Sequence, residues 1–322
     1  MYLNHKNNFY HGIMFHHFHD DGIHTKGQGS IDKDDFYKMI NFIGRNNILD
    51  ADIFYEKFKN NKLKNNEVCL TFDDALKCQI DIALPVLEDL QIKSFFFAYT
   101  SMFQGKVDNL EFFRYFRMNY YKNVDEFYNN FYKALSYDLN SFFEKNRFII
   151  EQTKIRFPHY SISDIKFRLV RNNFLTKSQY EEIMFLMFKE KQFNPYDISK
   201  KLFFEKNDLQ TLNNLGHLIG LHSHNHPTQL EKLSYDDQKN EYVKCLSLIS
   251  DILNKPKNEI KFMSHPCGSY NQDTLQILKN LGIELGFKQI MTIEPEKGMK
   301  KVNNSFLEVA RQDHADILRR MN

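Results

Sequence analysis

Val68-Cys69-Leu70-Thr71-Phe72-Asp73-Asp74 decides the fold. Val68 to Phe72 form a short apolar, β-prone run that stops abruptly at two adjacent carboxylates. The residues from about Gln79 to Leu90 predict a helix, and Ile92 to Tyr99, with Phe95-Phe96-Phe97 inside it, predicts a second buried strand. A strand, a helix and another strand in that rhythm point to an α/β architecture with parallel strands.

The rhythm extends in both directions. Upstream, the apolar, histidine-crowded run Phe9 to Phe18 reads as a first strand. Acidic helix-start residues follow over Ser30 to Asp35, then Phe36, Met39, Ile40 and Ile43 at helical spacing. Downstream, Asn207 to Leu215 predicts a helix ending at Gly216, and His217 to Leu221 a strand. Tyr235 to Leu253 predicts a long amphipathic helix, Ile260 to Met263 a strand, and Asn271 to Leu281 a helix ending at Gly282. Ile283 to Phe287 and Phe306 to Ala310 are candidate late strands. Between Val107 and Leu202 the texture changes. Phe112, Phe113, Tyr115, Phe116, Tyr120, Tyr121, Phe127, Phe131 and Tyr132 recur near helical spacing among Asn, Lys and Arg. Pro158-His159 breaks that run, and Ser178 to Lys189 predicts another helix. The expected organisation is an α/β part at 1–106, a helical insertion at 107–202 and a second α/β part at 203–322.

Bulk composition excludes several classes. Among 322 residues, 43 Lys and Arg nearly cancel 41 Asp and Glu, so the net charge of +2 gives no electrostatic reason to expect nucleic acid. No apolar run is long enough for a transmembrane helix. Cys69, Cys78, Cys245 and Cys267 form no CxxC pair, and the polar start Met1 to Asn8 lacks a signal-peptide core. A cytoplasmic protein with reduced thiols is the expectation.

Three stretches carry the chemistry, each where a predicted strand hands over to a loop. Asp73-Asp74 alone reads as a helix cap, or as one carboxylate on a cation beside a free base. In His222-Ser223-His224-Asn225-His226-Pro227 the outer histidines are four apart, and on one helical turn they would share a face and a metal ion. His224 would point elsewhere, behind the ligands or into solvent. Ser264-His265-Pro266-Cys267-Gly268 reads as a tight turn that can aim a backbone N–H at an oxyanion. One Asp and two His leave a coordination position open, as in catalytic rather than structural zinc sites.

In this order the stretches resemble the NodB-homology polysaccharide deacetylases, carbohydrate esterase family 4. Met14-Phe15-His16, Gly216-His-Leu-Ile-Gly220 and Arg311-Gln312-Asp313 extend the resemblance through most of the chain. The insertion, with Lys166-Phe-Arg168-Leu-Val-Arg171, resembles that of a branch associated with bacterial surface-glycan synthesis. The resemblance implies a distorted (β/α) barrel that removes acetyl groups from N-acetylated sugars. Asp73 takes the position of the catalytic base, Asp74, His222 and His226 those of the metal ligands, and the Cys267 amide that of an oxyanion donor. Zinc is the default ion, with cobalt and nickel also compatible.

This chain departs from the pattern at four places. Ala75 stands where the first motif usually ends in Gly, and Ser264 where the third often begins with Arg. Another cation, Arg311, would then orient Asp73. Cys267 replaces an aromatic residue. No Leu-x-x-His closes the chain, so the general acid falls to His16 or His314, with His16 preferred because its segment matches the family's first strand. The expected substrate is an N-acetylated sugar in a glycan or in a lipid- or nucleotide-linked precursor, with peripheral membrane contact compatible. A metal-dependent hydrolase of a non-sugar amide and a catalytically impaired glycan-binding relative are the alternatives.

Overall fold

The computed structural model describes residues 2–3, 8–27, 29–106, 109–135, 137–158 and 160–321. Val107, at the expected start of the insertion, and His159, of the Pro-His break, lie outside them. The chain divides into two compact units: Met1–His24 with Ser30–Asp108 and Lys200–Asn322, and Thr25–Gly29 with Asn109–Ser199.

Seven strands build the first unit: β1 (His11–Phe15), β2 (Val68–Phe72), β3 (Phe95–Ala98), β4 (Leu218–Leu221), β5 (Phe262–Ser264), β6 (Leu285–Phe287) and β7 (Arg311–Asp313). All pair in parallel, in the order β6-β5-β4-β3-β2-β1-β7. Val309, just ahead of β7, bridges back to Phe287 of β6, with Lys288 N donating to Val309 O at 2.9 Å. The two edges of the sheet thus meet, giving a nearly closed, distorted (β/α) barrel.

Burial explains why the strands read as continuous apolar runs. Every residue of β1 and β2 is buried, as expected of parallel strands with both faces covered. Alternation still sorts the faces. Cys69, Phe95, Phe97, Phe262, Leu285, Phe287 and Val309 form one cluster, plugged by Ala51, Phe54 and Tyr55 from the helix Ala51–Lys59. One residue out of phase, Phe72 and Phe96 stack at 4.6 Å outside that cluster. Thr71 and Asp73 continue the face of Cys69, so the base of the acid pair points inward at the end of β2.

The predicted strands fall on β1 to β6, and the helix Tyr235–Leu253 has the predicted bounds. The helix Lys33–Ile43 buries Phe36, Met39, Ile40 and Ile43, with Asp32 capping the Asp35 amide at 2.8 Å. The expected strand at Phe306–Ala310 is a correction: the ordered strand is Arg311–Asp313, a polar triplet. Apolar content misplaced it, because Arg311 can lie inside a barrel only with an internal counter-charge, which no periodicity reports. Helices Ala51–Lys59 and His314–Met321 are further additions.

The second unit is helical, with its longest helices at Asn109–Asn119, Val124–Leu135, Arg147–Arg156 and Lys177–Glu190. Phe112, Phe113, Phe116, Phe127, Phe131, Tyr180 and Phe188 are buried in it, so most of its aromatic residues serve packing.

Candidate metal centre

The chemistry-bearing residues gather at the carboxyl ends of the strands, where parallel α/β sheets leave loops free to converge. His16 follows β1, Asp73 and Asp74 follow β2, His222 follows β4, and Ser264 ends β5. The Asp73 amide continues the ladder onto Phe15 O at 3.1 Å. The chain then turns sharply, with Asp74 at φ 74° and Ala75 at φ 51°. The left-handed step at Ala75 is the physical reason a glycine suits this position. The Gln79 side-chain amide donates to Asp73 O (2.6 Å) and His16 O (3.0 Å), tying the two strand ends together.

The histidine stretch is not a helical turn. After His222 the backbone takes left-handed values at Ser223 (φ 64°) and His226 (φ 53°), and this loop, not a 3.6-residue period, brings the two rings to 5.1 Å. Helical spacing and loop geometry agree on the pair and differ on everything between. His224 is buried rather than solvated: its Nδ1 meets Thr100 Oγ1 at 2.9 Å, and its carbonyl accepts from Ser101 N at 2.8 Å. Buried Glu241, on the helix Tyr235–Leu253, accepts from the amides of His224 (3.0 Å) and Asn225 (2.7 Å). It clamps the loop from behind.

His222 Nε2 and His226 Nε2 lie 3.2 and 3.3 Å from Asp74 Oδ1. That oxygen is buried and accepts no aligned hydrogen bond among the described residues. His222 Nδ1 faces Ser264 O (3.0 Å) and Ser264 Oγ (2.7 Å), and these contacts aim Nε2 at the carboxylate. Two imidazole nitrogens and a carboxylate oxygen aimed at one another this closely need a positive charge among them, a proton or a metal ion. Donor atoms bound tetrahedrally at about 2.1 Å are about 3.4 Å apart, close to the spacing here. The three residues therefore fit a small divalent ion, and among the described residues they are the one group of three potential ligands brought this close. Burial pushes the Asp74 carboxyl up, but His226, His222 and His16 outweigh it and hold it well below the carboxylate range.

Asp73 has different company. Arg311 Nη1 donates to its Oδ1 at 2.7 Å with both side chains buried, and Ser264 Oγ donates to the same oxygen at 3.1 Å. Burial again raises the carboxyl, and Arg311, His222 and His16 bring it below its ordinary value. Arg311 is held by Nε donating to Lys288 O at 3.0 Å. Gly12 makes room for it, since a Cβ there would lie 3.0 Å from Arg311 Cγ. The position that lacks the family's Arg thus bridges Asp73 to His222 through Ser264, while the cation arrives from β7.

His16 Nε2 lies 3.9 Å from both Asp73 Oδ2 and Asp74 Oδ2, and its side chain is 22% exposed. His314 is buried elsewhere, stacked on Phe15 with Nδ1 on Met14 O at 3.1 Å. Asp313 caps the last helix through Ala315 N at 2.8 Å and, among the described residues, makes no hydrogen bond or ion pair with the acid pair. Cys267 is exposed at φ 51°, in a turn closed by Gly268 N to His265 O at 3.1 Å and Ser269 N to Pro266 O at 2.9 Å. Gln79, Thr100, Glu241 and the bridging role of Ser264 escaped the sequence reading. Glu241 had only a faint signal, an acid on the buried face of an amphipathic helix.

Residues 172–286, about a third of the chain, match the polysaccharide deacetylase family model. That segment contains His222, His226 and Cys267, while the acid pair and Arg311 lie outside it. No curated protein sequence matches the chain. Among solved structures, the chain is similar to the Streptococcus pyogenes deacetylase PplD in complex with acetate (16% identity, TM-score 0.53, covering 94% of this chain and 90% of that one). It is also similar to IcaB from Ammonifex degensii and to the BpsB deacetylase domain from Bordetella bronchiseptica, each at 11% identity and TM-score 0.52 with 97% of both chains covered. Identities this low establish a shared fold. The chain thus shares its fold with these deacetylases, and its residues 172–286 match the polysaccharide deacetylase model.

Proposed function

We propose that this chain is a metal-dependent N-deacetylase acting on an N-acetylated sugar of a glycan or glycan precursor. The observation that carries the reading is the convergence of Asp74, His222 and His226 beside a second, independently neutralised carboxylate, Asp73. A structural metal site has no use for that second acid, whereas hydrolysis needs a base next to its activated water.

Asp74, His222 and His226 would hold the ion, with zinc the first choice for this donor set and cobalt or nickel compatible. When bound, the ion supplies a lowered pKa to its water and positive charge for the developing oxyanion. Asp73 takes the proton of the attacking water. Arg311 and Ser264 keep it ionised and aimed. The Cys267 amide donates to the oxyanion, a contribution typically worth about 3 kcal/mol. His16, within reach of both carboxylates and open to solvent, protonates the departing amine. Asp313 enters as a positioning residue, fixing the end of the strand that carries Arg311.

The helical segment at 107–202 is read as an insertion in the catalytic barrel, supported by the compactness of Asn109–Ser199. No helix among the described residues is long and apolar enough to cross a membrane, and none of the four cysteines is in a disulfide. A cytoplasmic, precursor-directed enzyme fits those thiols.

The test is acetate release by zinc-loaded protein over a panel of nucleotide-linked, lipid-linked and free N-acetylated sugars, with Asp73→Asn as the control. Release from at least one donor, reduced a hundredfold or more in the variant (roughly the value of a general base), is the expected result. No release from any donor, or equal release by the variant, contradicts the reading.

A further inference from the structure

The helical unit concentrates arginine in a way that the proposed reaction does not use. Arg117 comes from the helix Asn109–Asn119, Arg168 from Ile162–Leu169, and Arg171 from the turn that follows it. Beside Arg117 and Arg168 lies Asp164, fully buried. It accepts from Tyr128 Oη at 2.8 Å and from Arg168 Nε at 2.6 Å, with Arg117 Nη1 at 3.9 Å. The buried hydroxyl of Tyr180 is hydrogen-bonded to Arg171 and lies in the field of Arg117 and Arg168 as well. Two guanidinium groups thus face one carboxylate, and a third, Arg171, meets the Tyr180 hydroxyl that lies in their field.

Glu181 accepts from Asn109 Nδ2 at 3.1 Å and faces Lys177 at 3.9 Å, while Glu111 faces Arg114 at 3.9 Å. Arg117 Nε and the Tyr132 hydroxyl are buried and have no hydrogen-bond partner among the described residues. Arg117 and Arg168 exceed Asp164 by one charge, and the buried, unpartnered Nε of Arg117 costs stability unless an acceptor completes it. Aromatic rings hold the guanidinium planes, with Arg168 4.2 Å from the Tyr160 centroid and Arg117 5.7 Å from that of Phe167. The cluster is open to solvent on one side, where the Arg168 side chain is 32% exposed.

We propose that Arg117, Arg168 and Arg171 form a binding site for a phosphate-bearing anion, best matched by a diphosphate. Planar guanidinium forks pair with phosphate oxygens two at a time, which lysines cannot do. Nucleotide-linked and lipid-linked molecules share this chemistry. The proposal is independent of the deacetylase reading, since it concerns binding within the helical unit alone.

The test is calorimetric titration of the full chain, stripped of divalent metal by a chelator, with inorganic pyrophosphate. Saturable binding of one pyrophosphate is expected, weakened at least about tenfold in Arg117→Gln and in Arg171→Gln, the loss typical of a charge-assisted hydrogen bond. Arg117→Lys and circular dichroism check folding, and if Arg117→Gln unfolds, the half-buried Arg171 decides. Tighter binding of a nucleoside diphosphate than of pyrophosphate assigns a nucleotide source. Arginine-dependent co-sedimentation with phosphatidic acid vesicles assigns a lipid source. No saturable pyrophosphate binding at millimolar concentration, or identical binding by both glutamine variants, overturns the proposal.

Discussion

Asp73 and Asp74 are chain neighbours with the same functional group, and their surroundings give them different work. Asp74 meets two imidazole nitrogens across a gap that suits an ion, while Asp73 meets a buried guanidinium. Replacing Asp73 by Asn should therefore do two things at once. It should abolish most activity and, by leaving Arg311 buried without its counter-charge, lower stability by about 3–5 kcal/mol, read by urea unfolding. Ala75 is the opposite case, a residue whose replacement should help. Its φ of 51° disfavours a Cβ, so Ala75→Gly should gain up to about 1 kcal/mol, net of the greater freedom glycine has when unfolded. An unchanged or lower urea midpoint would count against the strain. At this scale the sequence was informative: Asp74 and both histidines were legible because ligand chemistry restricts residue type, while Asp73 as base and Arg311 as its cation were read through the family resemblance. The bridging role of Ser264 was not, since serine after a strand has many uses and only coordinates join it to residues at 73 and 222.

At the scale of elements, the histidine loop is held by groups distant in sequence. Glu241 receives two of its amides, and Thr100 fixes His224. Glu241→Gln should loosen the loop and weaken zinc binding about 10- to 100-fold, measured by competition with a chromogenic chelator, as for outer groups that orient metal ligands. Two other buried histidines set an acid limit. Burial pushes His11 and His217 down to about 4, from 6.5 when exposed. Below pH 6.5 the unfolded chain therefore takes up protons that the folded chain refuses, so stability is lost as pH falls from 6.5 to about 4. Urea midpoints of chelator-treated protein across that window should fall, and His217→Gln should flatten the slope. A sequence reading recognises elements by apolar period, which is why β1 to β6 were visible. It failed at β7, where the strand is polar, and at His222–His226, where two spacings give one pairing.

For the whole molecule, barrel closure is what makes the site possible. Arg311 and Asp73 lie 238 positions apart in the chain and meet because β7 pairs with β1 on the side away from β2. The fold class followed from the β-α-β rhythm and the family resemblance, but closure through Val309 could not, because a single bridge leaves no sequence period. The central claim is that Asp74, His222 and His226 form one divalent-metal site. The direct measurement is zinc content after loading and desalting, for the native chain and for Asp74→Ala. One equivalent of zinc per chain, lost in the variant while the circular dichroism spectrum is retained, is the predicted result. No retained zinc in the native chain, or one equivalent retained by Asp74→Ala, would contradict it.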